Sequence, residues 1–282
     1  MDLKSELRRD VMREFSKHNN VDNVQHQIHP DIDIMYNSIN IFLGQRGSGK
    51  TFNGFNTAAL ISRANTKYHL FVFVSNNPND ETFRKFRPLI TRPSGVAGQR
   101  PLPSVLIPYS SSEEYITELI EYKQAYDEIK FKHLESRITD ECKADILSHL
   151  HIDDFSAPSL HTFILYDDAL EVFKKPSSPE FRYLLENRHH KFTYVLNIQD
   201  WKGISTELKA NIDSVWMFGG YPRNRYCYIY NQLSCPIERD ELYNIYSRLT
   251  KREAIIFTNT SEGSIIKHLS QNGQTTEIFN NT

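Results

Sequence analysis

The sequence predicts an α/β protein in which a mostly parallel sheet carries helices on both faces. Three observations predict it. Apolar strands alternate with helices along most of the chain. The first strand, Ile39–Leu43, runs into a glycine-rich loop that ends on a lysine and a threonine. A later strand, "FILYDD", ends on two carboxylates, Asp167 and Asp168.

The first elements are the weakest. Residues 1–18 suit an amphipathic helix, because Leu3, Leu7, Val11 and Phe15 recur every four positions. A linker, "NNVDNVQHQIHPDI", follows. Next comes "NIFLGQRGSGKTF", Asn40 to Phe52. Gly44, Gln45, Arg46, Gly47, Ser48, Gly49, Lys50 and Thr51 fit the phosphate-binding pattern G-x-x-x-x-G-K-[ST]. The glycines let successive backbone N–H groups converge on one spot, and a helix N-terminus adds its dipole there. In that role Lys50 reaches the β- and γ-phosphates and Thr51 ligates Mg²⁺. "TFNGFNTAALISRA" reads as the helix after the loop, so the pattern has its strand–loop–helix context.

Further along, "HLFVFVS" (69–75) reads as a strand stopped by "NNPND", then a loop, "RPSGVAGQRPLPS", and a short strand, "VLIPY" (105–109). A capping box at Ser111 and Glu114 opens a long helical stretch over 112–151, interrupted near residue 138. "HTFILYDD" is a strand, "SPEFRYLLENRHH" a helix, and "TYVLNIQD" and "DSVWMFGG" are strands. "ERDELYNIYSRL" is a helix and "EAIIFTNT" a strand, with "GSIIKHL" and "TTEIF" as a closing hairpin. The expected divisions are an N-terminal helix and linker (1–30), a nucleotide-binding domain (31–260) with a helical insertion at about 112–155, and a C-terminal hairpin or tail (261–282).

Bulk numbers fit a globular chain: 282 residues, 39% hydrophobic, 24% charged, formal net charge −2. No apolar run approaches the ~18 residues that a membrane helix needs. The charged start lacks the apolar core of a secretory signal. Cys142, Cys227 and Cys235 are widely spaced, which suits a reducing compartment and excludes a disulfide framework or zinc ribbon. The charge balance excludes a globally basic nucleic-acid binder. Residues 82–100, however, hold Arg84, Lys85, Arg87, Arg92 and Arg100 with no acid, which suits either a phosphate-contacting surface or a solvated loop.

The two carboxylates sit where ligands bind in open parallel sheets, at a strand's C-terminal end. Asp167 then holds Mg²⁺ through its water shell, and Asp168 orients or deprotonates the attacking water. Gln199 ends another strand, where an amide can bridge the γ-phosphate and that water; alone, it reads as an ordinary strand terminus. Arg188, in "NRHHK", suits either a finger facing a neighbouring subunit's nucleotide or a helix-end cation. His149, His151, Asp153 and Asp154 in "HLHIDD" suit a solvated helix end better than a metal site. The absence of an N-K-x-D motif favours ATP over GTP.

Taken in order, "FLGQRGSGKT", "HLFVFVSNNPND", "FILYDD", "LLENRHHKFTYVLNIQ" and "LKANIDSVWMF" resemble the genome-packaging ATPases of large double-stranded DNA viruses, the poxvirus-like branch of the HerA/FtsK superfamily. The match spans about residues 39–218, with "EAIIF" a weaker tail. The resemblance implies a P-loop NTPase fold of the RecA/ASCE kind and an ATPase that threads double-stranded DNA into a preformed capsid. It implies a homo-oligomeric ring with nucleotide at each interface, working in the host cytoplasm at the viral factory, with a stay at the capsid or in the virion. Carried over by position, Lys50 and Thr51 bind phosphate and Mg²⁺, Asp167 and Asp168 are the Walker B pair, Gln199 is the sensor and Arg188 the finger. Lys209, where the family has arginine, keeps the charge but loses the bidentate fork, and takes no catalytic role. The rival readings are a helicase or conjugation-type DNA pump on the same core, and a nucleotide-gated assembly switch with slow hydrolysis.

Overall fold

A computed structural model describes residues 35–64, 68–77, 80–91, 104–134, 161–168, 173, 176–260, 263–271 and 273–280. The expected N-terminal helix and linker, the helical stretch beyond Leu134 and the "HLHIDD" cluster lie outside the described residues.

The strands are β1 (Ile39–Leu43), β2 (Tyr68–Val74), β3 (Ser104–Ile107), β4 (His161–Tyr166), β5 (Phe192–Ile198), β6 (Ser214–Phe218), β7 (Ala254–Thr260), β8 (Gly263–Leu269) and β9 (Thr275–Asn280). They form one sheet in the order β3-β2-β4-β5-β1-β6-β7-β8-β9. From β3 to β6 every pairing is parallel, and from β6 to β9 every pairing is antiparallel. One strand, β5, separates the strand before the glycine loop from the strand that ends on the carboxylates.

The helices are α1 (Lys50–Ala64), α2 (Glu81–Thr91), α3 (Ser112–Leu134), α4 (Pro179–Leu185), α5 (Thr206–Ala210), α6 (Arg223–Tyr230) and α7 (Arg239–Tyr246). Side chains alternate across each strand, so both faces of the sheet need apolar partners. One face is rich in aromatics: Phe42, Phe71, Phe73, Phe163 and Trp216 pack under Phe55 of α1 and Phe83 and Phe86 of α2. The other is largely aliphatic: Ile41, Leu43, Val72, Ile164 and Leu196 pack under Ile116 of α3, Leu184 of α4 and Leu242 of α7. Gly54 lets α1 sit close on the sheet, since a Cβ there would meet Leu165 Cδ1 at 2.4 Å.

Three local expectations need correction. The third strand ends at Ile107, because Pro108 leads into a 3₁₀ turn, Tyr109–Ser111. That turn runs straight into α3, so Ser111 lies inside it and is not the cap of a box with Glu114. The structure also has two helices beyond those expected, α2 and α6. In the structure Asp80 Oδ1 accepts from Phe83 N at 2.9 Å and opens α2. Phe83, Phe86 and Ile90 of α2 are buried, and Arg84, Lys85 and Arg87 are exposed on its other side. In α6, Tyr226 and Ile229 are buried in the same way.

Candidate nucleotide-binding site

The parallel strands end together, and their C-terminal ends carry all the sequence-predicted site residues but Arg188. A cavity of about 500 Å³ is lined by Arg46, Gly47, Lys50, Thr51, Asp167, Asp168 and Gln199. Gly44 follows β1, Asp167 follows β4 and Gln199 follows β5, so three separate strands deliver the groups.

The loop closes tightly. Gly44 N donates to Ile198 O at 3.1 Å, which pins the start of the loop to β5. A Cβ at Gly44 would meet Phe218 Cβ at 2.9 Å as well as Ser48 Oγ at 2.5 Å, so the loop passes too close to β6 for a larger residue without a shift. Gly47 and Gly49 take φ of 79° and 107°. The Lys50 ammonium donates to the carbonyls of Gly44 at 2.7 Å and Gln45 at 2.9 Å. Burial lowers the pKa of Lys50, and the nearby charges of Asp167 and Asp168 oppose that shift.

The carboxylates divide their partners. Asp167 Oδ1 accepts from Thr51 Oγ1 and from Asn197 Nδ2, each at 2.8 Å. Asp168 is exposed, sits at φ 60°, and its Oδ1 accepts from Gln199 Nε2 at 3.1 Å. A left-handed backbone at a non-glycine residue is a local cost that turns Asp168 away from the strand direction. Asp167 thus faces the threonine, while Asp168 faces the open cavity with the glutamine.

The residues fit a magnesium-bound triphosphate. A threonine hydroxyl and a carboxylate already within hydrogen-bond distance are the hard oxygen donors that Mg²⁺ takes. Ser48 Oγ is buried without a hydrogen-bond partner among the described residues, beside the glycine cradle. Thr51 and Asp167 would hold such an ion, which would supply charge neutralisation to the phosphates.

Three groups at this end escaped the sequence reading. Asn197, fully buried two positions before Gln199, holds Asp167. Its signal was a polar residue inside the apolar run "YVLNI". Tyr221 Oη and Arg225 both donate to the Gln199 carbonyl, at 2.8 and 3.0 Å, and Arg225 pairs with Asp200 at 3.1 Å. These anchor the backbone of Gln199 to α6 and the turn before it.

Arg188 is elsewhere. It lies in the turn before β5, at the opposite end of the sheet, and pairs with Asp213 at 3.0 Å. Asp213 precedes β6 and also accepts from Ile39 N at 2.8 Å. Seven residues of β5 separate Arg188 from Gln199, about 20 Å at the usual rise. That span is beyond the reach of an arginine side chain, so Arg188 does not complete the site of its own chain. Lys209 lies over the Trp201 ring, 5.5 Å from its centroid, and does not line the cavity.

No protein-family model matches the sequence, and no curated protein matches it. Solved structures do. The genome packaging NTPase B204 from Sulfolobus turreted icosahedral virus 2, in complex with ATP-gammaS, aligns with TM-score 0.51 and 16% identity over 82% of this chain and 96% of that chain. Its complex with AMPPCP gives 0.50 and 16%, over 82% and 96%. EssC (ATPases 2 and 3) from Geobacillus thermodenitrificans gives 0.47 and 13%, over 81% of this chain and 38% of that chain. The chain therefore has the fold of B204, a P-loop ATPase fold.

Proposed function

We propose that this chain is an ATP-hydrolysing motor that drives double-stranded DNA into a preformed capsid, acting as a ring of identical subunits in the host cytoplasm. The observation that carries the ATPase reading is the pairing of Thr51 with Asp167 and of Gln199 with Asp168 in one cavity beside a buried Lys50. The likeness in fold to a viral genome packaging NTPase supports the packaging role.

The geometry supports a division of labour. Lys50 neutralises the β- and γ-phosphates. Thr51 and Asp167 hold the metal side of the triphosphate, with Asn197 keeping the Asp167 carboxylate turned toward Thr51. Asp168 accepts the proton of, or orients, the attacking water, and the Gln199 amide fixes that water against the γ-phosphate. Such chemistry needs positioning and charge stabilisation without a covalent nucleophile.

Arg188 supplies charge to a neighbour's site in this proposal. A finger at one end of the sheet and a nucleotide at the other suit a head-to-tail contact, which closes into a ring when the rotation permits. The exposed Arg84, Lys85 and Arg87 of α2 suit sequence-independent contacts to DNA phosphates.

The test is ATP turnover by the purified protein with and without duplex DNA, followed by nuclease protection of DNA in the presence of capsids. A motor gives DNA-stimulated turnover, and packaging gives protection only with capsids. Turnover that ignores DNA favours the assembly-switch reading, and unwinding without protection favours the helicase reading.

A further inference from the structure

The turn that leads into β7 is fastened to the phosphate loop. Arg252 N donates to Ser48 O at 2.9 Å, and Asn53 Nδ2 donates to the carbonyls of both Gly49 and Arg252 at 3.1 Å. The approach is so close that a Cβ on Gly49 would meet Arg252 Cα at 2.9 Å. Arg252 itself takes φ 75°, a left-handed backbone that a long side chain adopts only when its surroundings impose it. Its guanidinium carbon lies 3.8 Å from the centroid of the Phe52 ring, and Phe52 is held edge-on by Phe86, 5.2 Å between centroids. Among the described residues the Arg252 guanidinium has no ion pair and no hydrogen bond. Both Arg252 and Phe52 are only half-buried.

We propose that the Arg252–Phe52 stack is the platform for the base of a purine nucleoside triphosphate, a specificity element of the nucleotide site proposed above, on which this inference rests. Asp167, Asp168 and Gln199 follow β4 and β5, on one flank of β1. Arg252 precedes β7, which lies beyond β6 on the other flank. With the γ-phosphate turned toward the carboxylates, the sugar and base end of the nucleotide points to the Arg252 flank. A guanidinium that rests one plane on a phenyl ring presents its second plane to another flat π-system. Stacking area favours a purine over a pyrimidine, and it does not read adenine against guanine. The left-handed backbone then has a use: it brings the Arg252 side chain over Phe52 while its N–H holds the loop.

The test is calorimetric titration of the full chain with three magnesium-loaded probes: ATP, UTP and inorganic tripolyphosphate. The parent binds ATP more tightly than UTP or tripolyphosphate. Arg252→Asn removes the plane and tolerates the left-handed backbone. It weakens ATP binding about tenfold, the size of one lost base stack, and leaves tripolyphosphate binding unchanged. Arg252→Lys keeps the cation without the plane, gives the same selective loss, and carries the test should the asparagine variant fold poorly. Equal losses for ATP and tripolyphosphate in both variants overturn the platform, leaving Arg252 a prop of the phosphate loop. Unchanged ATP binding overturns it as well. A parent that binds none of the three probes overturns the nucleotide site itself, and the platform with it.

Discussion

The two ends of the parallel strands differ in what they do with charge. At the C-terminal end, Lys50, Thr51, Asp167, Asp168 and Gln199 surround a cavity of about 500 Å³, and the polar contacts there leave room for a ligand. At the N-terminal end, Arg188 and Asp213 satisfy each other, and Asp213 also ties down the first residue of β1. One end gathers a cation, a hydroxyl, an amide and two carboxylates round open space. The other is a closed ion pair with one exposed partner, Arg188, whose side chain is 74% exposed. An exposed surface pair is worth little in stability, so Arg188 can exchange Asp213 for a stronger anion at small cost. The contrast separates residues gathered round one cavity from an arginine that its own sheet holds far from that cavity.

The largest effect is expected at Lys50. Lys50→Ala takes ATP turnover to background while the chain stays folded, because burial already works against the charge of that side chain. Turnover near the parent's level, with unchanged circular dichroism, would remove the C-terminal end as the site of chemistry.

Next come the carboxylates. Asp168→Asn still binds magnesium-ATP but hydrolyses it about 10²–10⁴-fold more slowly, the range for a lost general base. Asp167→Asn instead raises the Mg²⁺ concentration needed for half-maximal turnover, since Asp167 is the partner of Thr51. Measuring both across a magnesium titration checks the division; indistinguishable curves would merge the two roles.

The smallest effect is expected at Asp213. Asp213→Ala leaves the buried N–H of Ile39 without its acceptor and costs about 1–3 kcal/mol of stability in urea unfolding. ATP affinity stays at the parent's value. A fall in affinity would show that the two ends are not separable.

The sequence made the C-terminal end legible because its information is local. The loop from Gly44 to Thr51 is one contiguous pattern, and Asp167, Asp168 and Gln199 are polar residues at the ends of apolar runs. Asn197 was harder to see: a buried asparagine inside a strand reads as an interruption until its partner across the sheet is known. Arg252 was beyond reach, since nothing near it in the chain announces that 200 residues earlier a glycine and a phenylalanine will receive it. The helix α2 was missed because Pro88 and a run of cations hide its Phe83, Phe86 and Ile90 face. For Arg188 the chain position before β5 was visible. What it could not tell was the partner, Asp213, which the sheet brings to Arg188 from before β6.

The most direct test of that separation mixes two inactive proteins. Arg188→Ala keeps its own carboxylates, and Asp168→Asn keeps its arginine. If Arg188 completes a neighbour's site, each variant alone loses most of its turnover, about 10³-fold or more for a missing arginine finger. Tagged co-purification first establishes that mixed assemblies form. ATP turnover of the mixture then exceeds that of either variant, because a junction between the two types holds one complete site. Mixed assemblies with no recovered turnover at any ratio would contradict the account and return Arg188 to a surface partner of Asp213.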